Sequence, residues 1–153
     1  MSRFIWELGV RSWGFGLGRF WRWARSPVRL REVARARVVW QAYEAELKSR
    51  FAELGRERAA AQGIVWSPIN WGTEVVFARD RVSGFVTAMV GFTVHFEADE
   101  LLEDNEMAAV PREATAIFHY QRGVWGTGGK TLFNMDPELA LARLGDQFEP
   151  LGE

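Results

Sequence analysis

The 153-residue sequence predicts an α+β fold, with an N-terminal amphipathic helix, a long helix packed on a curved four-stranded antiparallel sheet, and a short C-terminal helix. Three observations lead to this prediction. Apolar residues recur at helical spacing up to about residue 58, alternate with polar residues from Ile64 onwards, and are followed by a helix-capping pair at Asp136-Pro137. A change of period from about 3.6 residues to about 2 marks the passage from helix to strand. We therefore divide the chain into an anchor helix (1–26), an α+β roll domain (27–146) and a loose tail (147–153).

The first predicted element, residues 3–25, is rich in tryptophan and arginine. On a helix of about 3.6 residues per turn, most of its charges fall in one narrow stripe, while aromatic and aliphatic side chains cover the rest of the circumference. The longest uncharged run, residues 12–18, has seven residues, whereas a transmembrane helix needs roughly 20. The pattern indicates a helix that lies on a surface rather than one that crosses a bilayer.

Three surfaces are candidates to cover this helix: a bilayer surface, other subunits of an assembly, and the chain's own globular domain. Interfacial helices combine tryptophan with arginine in this way. Residues 1–40 hold nine arginines and two glutamates, a net charge of +7, whereas residues 41–153 carry −8. Such a split is typical of a basic arm that meets an acidic surface. The residues expected to contact a membrane or a partner are Phe4, Trp6, Trp13, Phe15, Phe20, Trp21, Trp23, Arg3, Arg11, Arg19, Arg22 and Arg25.

The second predicted helix is long and has one narrow apolar stripe. Ser26 and Pro27 suit the N-cap and the first helical position, and the helix is expected to run to about Arg58 and to end at Gly55 or Gly63. Its apolar residues are spaced three or four apart, which suits packing on one face of a sheet; a short coiled coil is the alternative. These residues are Val33, Ala36, Trp40, Tyr43, Leu47, Phe51 and Leu54.

Four strands are predicted after this helix, at Trp71–Arg79, Phe85–Ala98, Arg112–Gln121 and Val124–Phe133. The second strand alternates most clearly, and such alternation is typical of an antiparallel strand with one buried face. Its two faces are Val86, Ala88, Val90, Phe92, Val94 and Phe96 on one side, and Thr87, Thr93, His95 and Glu97 on the other.

The last predicted element is a short helix at Glu138–Leu144. Asp136 is a favourable N-cap and Pro137 a favourable first helical residue. The following tail, GDQFEPLGE, has one aromatic residue among glycine, proline and charged residues, and we expect it to be loose.

A long helix followed by long antiparallel strands resembles the cystatin-like and NTF2-like superfamily of α+β rolls. The resemblance is carried by the strand VTAMVGFTVHFEA and by EATAIFHYQRGVW, whose hairpin contains Gly123-x-Trp125. With a basic amphipathic arm in front of it, the whole chain is similar in layout to Tim44-like proteins. This resemblance implies peripheral attachment to a membrane or to a large complex.

Two further segments partly match known ligand-binding loops. GTGGKT at 126–131 ends like a Walker A loop, but the required first glycine falls on Val124 and a strand pattern follows it. We interpret it as a flexible or bulged strand of a hairpin. EADELLEDNE at 97–106 has six acidic residues in ten but lacks the ligand spacing of a calcium loop. It is interpreted as a solvated connection, with docking on a basic surface as the alternative.

The only histidines, His95 and His119, alternate onto the same type of face as Glu97 and Glu113. A histidine beside a carboxylate can perform acid–base chemistry. The alternative function is therefore a small-molecule-binding or enzymatic NTF2-like domain that uses this face.

The composition favours a different role. The absence of cysteine excludes disulfides, thiolate metal sites and cysteine nucleophiles. We expect no catalytic residue, metal or cofactor. The leading hypothesis is a non-catalytic accessory or scaffold subunit of a larger membrane-associated complex, anchored by its N-terminal helix on the cytoplasmic side or in another reducing compartment. Its expected partners are other protein subunits and a membrane surface. Nucleic acid is not expected, because the tryptophans stand among aliphatic and aromatic residues rather than polar ones.

Overall fold

The computed structural model describes residues 27–98 and 110–152, and its mixture of helices and antiparallel sheets confirms the α+β class. The predicted anchor helix, its twelve predicted contact residues and the N-cap at Ser26 lie outside the described residues. The elements are α1 (Pro27–Ala61), β1 (Ile64–Trp66), β2 (Asn70–Asp80), β3 (Val86–Val94), β4 (Phe96–Ala98), β5 (Arg112–Gln121), β6 (Val124–Gly126), β7 (Thr131–Phe133), α2 (Pro137–Arg143) and β8 (Phe148–Pro150).

Helix α1 packs its apolar stripe on the sheet, as the sequence predicts. The buried members of this stripe are Ala36, Trp40, Leu47, Phe51 and Leu54. Val33 is half-buried, whereas Tyr43 is 51% exposed. Tyr43 lines a groove beside Val124 on β6, and β6 is the outermost strand on that side of the described sheet. The sheet therefore does not reach far enough to cover this tyrosine.

Helix α1 is longer than predicted and ends at Ala61. Gly63 has a φ of 75°, and its N–H donates to the carbonyl oxygen of Ala60 at 3.0 Å. Glycine readily adopts this left-handed conformation, which terminates the helix. Gly55 instead lies inside α1, where a Cβ atom would stand 2.2 Å from the ring of Trp66. The glycine is required because the indole packs directly against the helix backbone.

Within the described residues the main sheet has six strands, whereas the sequence predicts four. Its order is β6-β5-β3-β2-β8, with β7 also paired to β5, and a separate two-stranded sheet joins β1 to β4. The predicted strand 85–98 is interrupted at His95, whose N–H donates to Ser67 Oγ at 2.8 Å. The chain then leaves the main sheet, because β4 pairs with β1. The predicted strand 124–133 is also split, into β6 and β7, and both halves pair with β5.

The main sheet is covered on both faces over much of its area. On the face towards α1, alternate residues of β3 and β5 join the rings of α1 in one core. On the opposite face, which the alternation predicts to be polar, Met89 and Ile117 pack with Ala140 of α2 and with Phe148. Asp136 caps α2 as predicted, accepting from the N–H of Leu139 at 2.7 Å.

Residues 147–152 are not the loose tail that the sequence predicts. Phe148 is fully buried, and β8 pairs antiparallel with β2. Beyond β8, the N–H of Leu151 donates to the carbonyl oxygen of Phe77 at 3.0 Å. This strand could not be predicted from the sequence, because Phe148 is a single aromatic residue among polar residues, glycine and proline.

Candidate functional site

The four residues of the predicted histidine–glutamate face do not form one site. Glu113 and His119 both lie on β5, six residues apart, which at about 3.3 Å per residue separates them by roughly 20 Å. Glu97 is exposed on β4, in the smaller sheet. His95 is half-buried at the junction between β3 and β4. No single ligand of modest size would contact all four side chains.

His119 is a buried part of the sheet rather than an exposed titratable group. Its ring is 3% exposed, and Nδ1 lies 3.3 Å from Thr87 Oγ1. Burial, and to a smaller extent the positive charge of Lys130, lower the pKa of His119 to about 3. The imidazole is therefore neutral at physiological pH and contributes to packing and hydrogen bonding inside the fold.

The GTGGKT segment is an interruption between β6 and β7 that packs on α1. Arg58 donates from its guanidinium to the carbonyl oxygen of Gly128. Gly129 has a φ of 79°, and a Cβ atom there would lie 3.0 Å from the Cβ of Leu54. The glycines therefore allow the backbone to approach the helix closely. A strand follows this segment, so it lacks the helix N-terminus that a Walker A loop presents to phosphate.

A cleft lined by several charged side chains lies at the beginning of α1. It lies between the first turns of α1, the turn from β2 to β3, and the β5–β6 hairpin, and its volume is about 550 Å³. We call it the arginine cleft. Its lining residues are Arg29, Arg31, Glu32, Arg35, Ser83, Phe85, Tyr120, Gln121, Arg122 and Gly123.

The floor of the arginine cleft is a buried arginine. Arg29 is buried and donates both to the carboxylate of Glu32 and to the carbonyl oxygen of Gly84. A second buried arginine, Arg79, donates to the same carbonyl oxygen at 3.1 Å. Burial and the charge of Arg79 lower the pKa of Arg29 and the hydrogen bond to Glu32 raises it, which leaves the pKa at about 10. Arg29 is still a cation at neutral pH.

The walls of the cleft carry three exposed arginines. Arg31 and Arg35 are one turn apart on α1, so their side chains are neighbours on the helix surface. Arg122 comes from the two-residue turn of the β5–β6 hairpin, where its φ is 52° and that of Gly123 is 80°. Four arginines thus surround a cavity whose described lining contains one carboxylate, that of Glu32.

Comparison of the chain with protein-family models, with curated proteins and with solved structures found no match. The resemblance to cystatin-like and NTF2-like rolls therefore stays a prediction. Across residues 27–98 and 110–152, no helix is both long and apolar enough to span a bilayer. The same residues contain no group of three or more histidines and carboxylates placed to hold a metal ion.

Sequence reasoning missed the arginine cleft. The sequence predicts no site that includes the arginines of α1 or Arg122. One signal was present: Arg31 and Arg35 place like charges four residues apart, an arrangement that slightly destabilises an isolated helix. The convergence of Arg122 and Ser83 on the same cavity depends on the tertiary fold, and no local pattern indicates it.

Proposed function

We propose that this chain is a non-catalytic accessory or scaffold subunit of a larger membrane-associated complex. Residues 1–26 attach it to a membrane surface or to partner subunits, and the α+β domain is displayed as a docking or spacing module. The tryptophan and arginine content of residues 3–25 and the split in charge along the chain support the attachment.

The observation that favours this role over a ligand-binding roll is the packing between α1 and the sheet. Trp40, Phe51 and Phe92 are buried there. The ring of Trp40 lies 5.0 Å from that of Phe118, and the ring of Phe51 lies 5.4 Å from that of Phe92, between centroids. Aromatic rings at these separations fill the interior with apolar contacts. The space between helix and sheet is thus occupied by the protein's own side chains, as expected of a module that presents surfaces.

A truncated chain that begins at Ser26 tests the attachment. We expect it to unfold cooperatively and to lose only the helical circular dichroism of the removed residues, because residues 27–98 and 110–152 form packed clusters of their own. In fractionated source cells, the full chain should sediment with membranes and the truncated chain should stay in the supernatant. A truncated chain that sediments with the membranes, or that fails to fold, would contradict the proposal.

A second variant tests the contribution of the tryptophans of residues 1–26 to the attachment. In it, Trp6, Trp13, Trp21 and Trp23 are replaced by alanine, and we expect it to leave the membrane fraction. The control variant should sediment with membranes like the full chain. In it, alanine replaces four exposed apolar residues of the folded domain: Val38, Val65, Val82 and Val124. Binding of the purified full chain to protein-free vesicles would identify lipid as the surface. Sedimentation with cell membranes without binding to protein-free vesicles would identify partner subunits as the surface that residues 1–26 contact.

A further inference from the structure

The arginine cleft concentrates positive charge without an equal number of carboxylates. Glu32 is the single acidic residue in its described lining, and this carboxylate pairs with Arg29. Arg31, Arg35 and Arg122 line the same cavity. Behind the floor, Arg79 adds a further buried guanidinium. The cleft is therefore a region of positive potential that a second negative group would stabilise.

Arginine at these positions does not favour the stability of the fold. Arg31 and Arg35 repel each other along one helix face. Arg122 has a positive φ, a conformation that glycine and asparagine adopt far more readily than arginine. Glycine would make the same turn with less strain. A long cation at this position is explained if its charge is used in the cleft.

The donors of the cleft suit the geometry of a phosphate group. A guanidinium presents a planar fork of N–H groups that matches two oxygens of one phosphate. The side chains of Ser83 and Gln121 line the same cavity and offer neutral hydrogen-bonding groups. A volume of about 550 Å³ falls within the range of small-ligand sites, roughly 300–1,000 Å³.

We propose that the arginine cleft is a binding site for a phosphate group, carried either by a soluble phosphorylated small molecule or by the headgroup of a phospholipid. Arg31, Arg35 and Arg122 contact the phosphate oxygens, and Arg29 forms the positively charged floor. This site is distinct from the attachment through residues 1–26, and it exists whether or not that attachment is correct.

Calorimetric titration of the full chain with inorganic pyrophosphate at low salt tests the proposal. We expect saturable binding that weakens about tenfold or more in Arg35→Gln and in Arg122→Gly, because a hydrogen bond to a charged group contributes about one factor of ten or more to affinity. Arg122→Gly relieves the strained turn, so its loss of binding would not come from unfolding. The matched control is Arg56→Gln, which removes an exposed arginine of α1 outside the cleft and should bind like the wild type.

Vesicle flotation distinguishes the two sources of phosphate. If the ligand is a lipid headgroup, the two cleft variants should bind vesicles of equimolar phosphatidylcholine and phosphatidylglycerol less well than Arg56→Gln, and pyrophosphate should compete. If the ligand is soluble, the variants should lose pyrophosphate binding alone. The proposal is overturned if pyrophosphate does not bind and vesicle binding is the same in all variants. It is equally overturned if Arg56→Gln loses as much affinity as the cleft variants, since the effect would then be one of net charge.

Discussion

The two faces of the six-stranded sheet are closed in different ways. One face is covered by a single 35-residue helix, which places the rings of Trp40 and Phe51 against the strands. The other is covered by the seven-residue helix α2, and Phe148 of the edge strand β8 packs on the same face, among smaller and fewer apolar side chains. Along that second face, buried polar groups are satisfied individually, as where Thr115 Oγ1 donates to the carbonyl oxygen of Met135 at 2.8 Å. Stability on the first face thus comes from a large apolar area, and on the second from a few specific contacts.

The largest expected effect is on the α1 face. Phe51 is fully buried, and its ring lies within 6.5 Å of four other rings, between centroids. Phe51→Ala should lower the free energy of unfolding by about 4–5 kcal/mol, since it leaves a cavity and removes aromatic contacts. Urea denaturation followed by circular dichroism measures this change. The control is Tyr43→Ala on the same stripe of α1, which should lower the free energy of unfolding by about 0.5 kcal/mol because the ring is exposed. Similar losses in both variants would contradict the burial of Phe51 in the core.

The α1 face could largely be predicted from the sequence because its signals are local and repeated. Seven apolar positions at helical spacing and a long alternating strand each point to the same interface. The hydrogen bond made by Ser67 could not be predicted from the sequence. This serine accepts from the N–H of His95 and breaks the strand there, although the two residues are 28 positions apart.

The second face could not be predicted because its polar residues are buried rather than solvated. Thr87, Thr115 and His119 alternate with apolar residues and therefore read as an exposed face. Each is buried in the fold, with hydrogen bonds that compensate for lost water. The arginine cleft escaped prediction for a related reason. Its walls come from α1, a turn and a hairpin, and only the tertiary fold brings them together.

The next effect in size is on the second face. Phe148 of β8 is fully buried and packs with Met89 and Ile117. Phe148→Ala should lower the free energy of unfolding by about 3 kcal/mol, at the lower end for such substitutions because Phe148 is the only aromatic residue of this cluster among residues 27–98 and 110–152. Phe148→Leu, which retains most of the apolar volume, should cost about 1 kcal/mol. A loss below about 1 kcal/mol for the alanine variant would mean that residues 147–153 contribute little to the fold, as the sequence suggested.

The smallest predicted effect depends on pH and arises at His119, also on the second face. An unfolded histidine has a pKa of about 6.5, whereas burial lowers that of His119 to about 3. Between these values the unfolded chain binds a proton that the folded chain does not, so stability is fully present above pH 6.5 and falls as the pH drops towards 3. One such group should remove about 2 kcal/mol between pH 7.5 and pH 5. Urea denaturation at several pH values measures this slope.

Two substitutions show whether the slope belongs to His119. His119→Gln removes the titrating group while keeping a hydrogen-bonding side chain beside Thr87, so the loss of stability between pH 7.5 and pH 5 should shrink by about 2 kcal/mol. His95→Gln removes the half-buried histidine at the end of β3 and should leave the wild-type slope in place. If instead His119→Gln keeps the wild-type slope, the imidazole of His119 does not lose proton affinity on folding. The polar side chains of the second face would then be accessible to water, and the two faces would differ in solvation as the sequence alternation suggests.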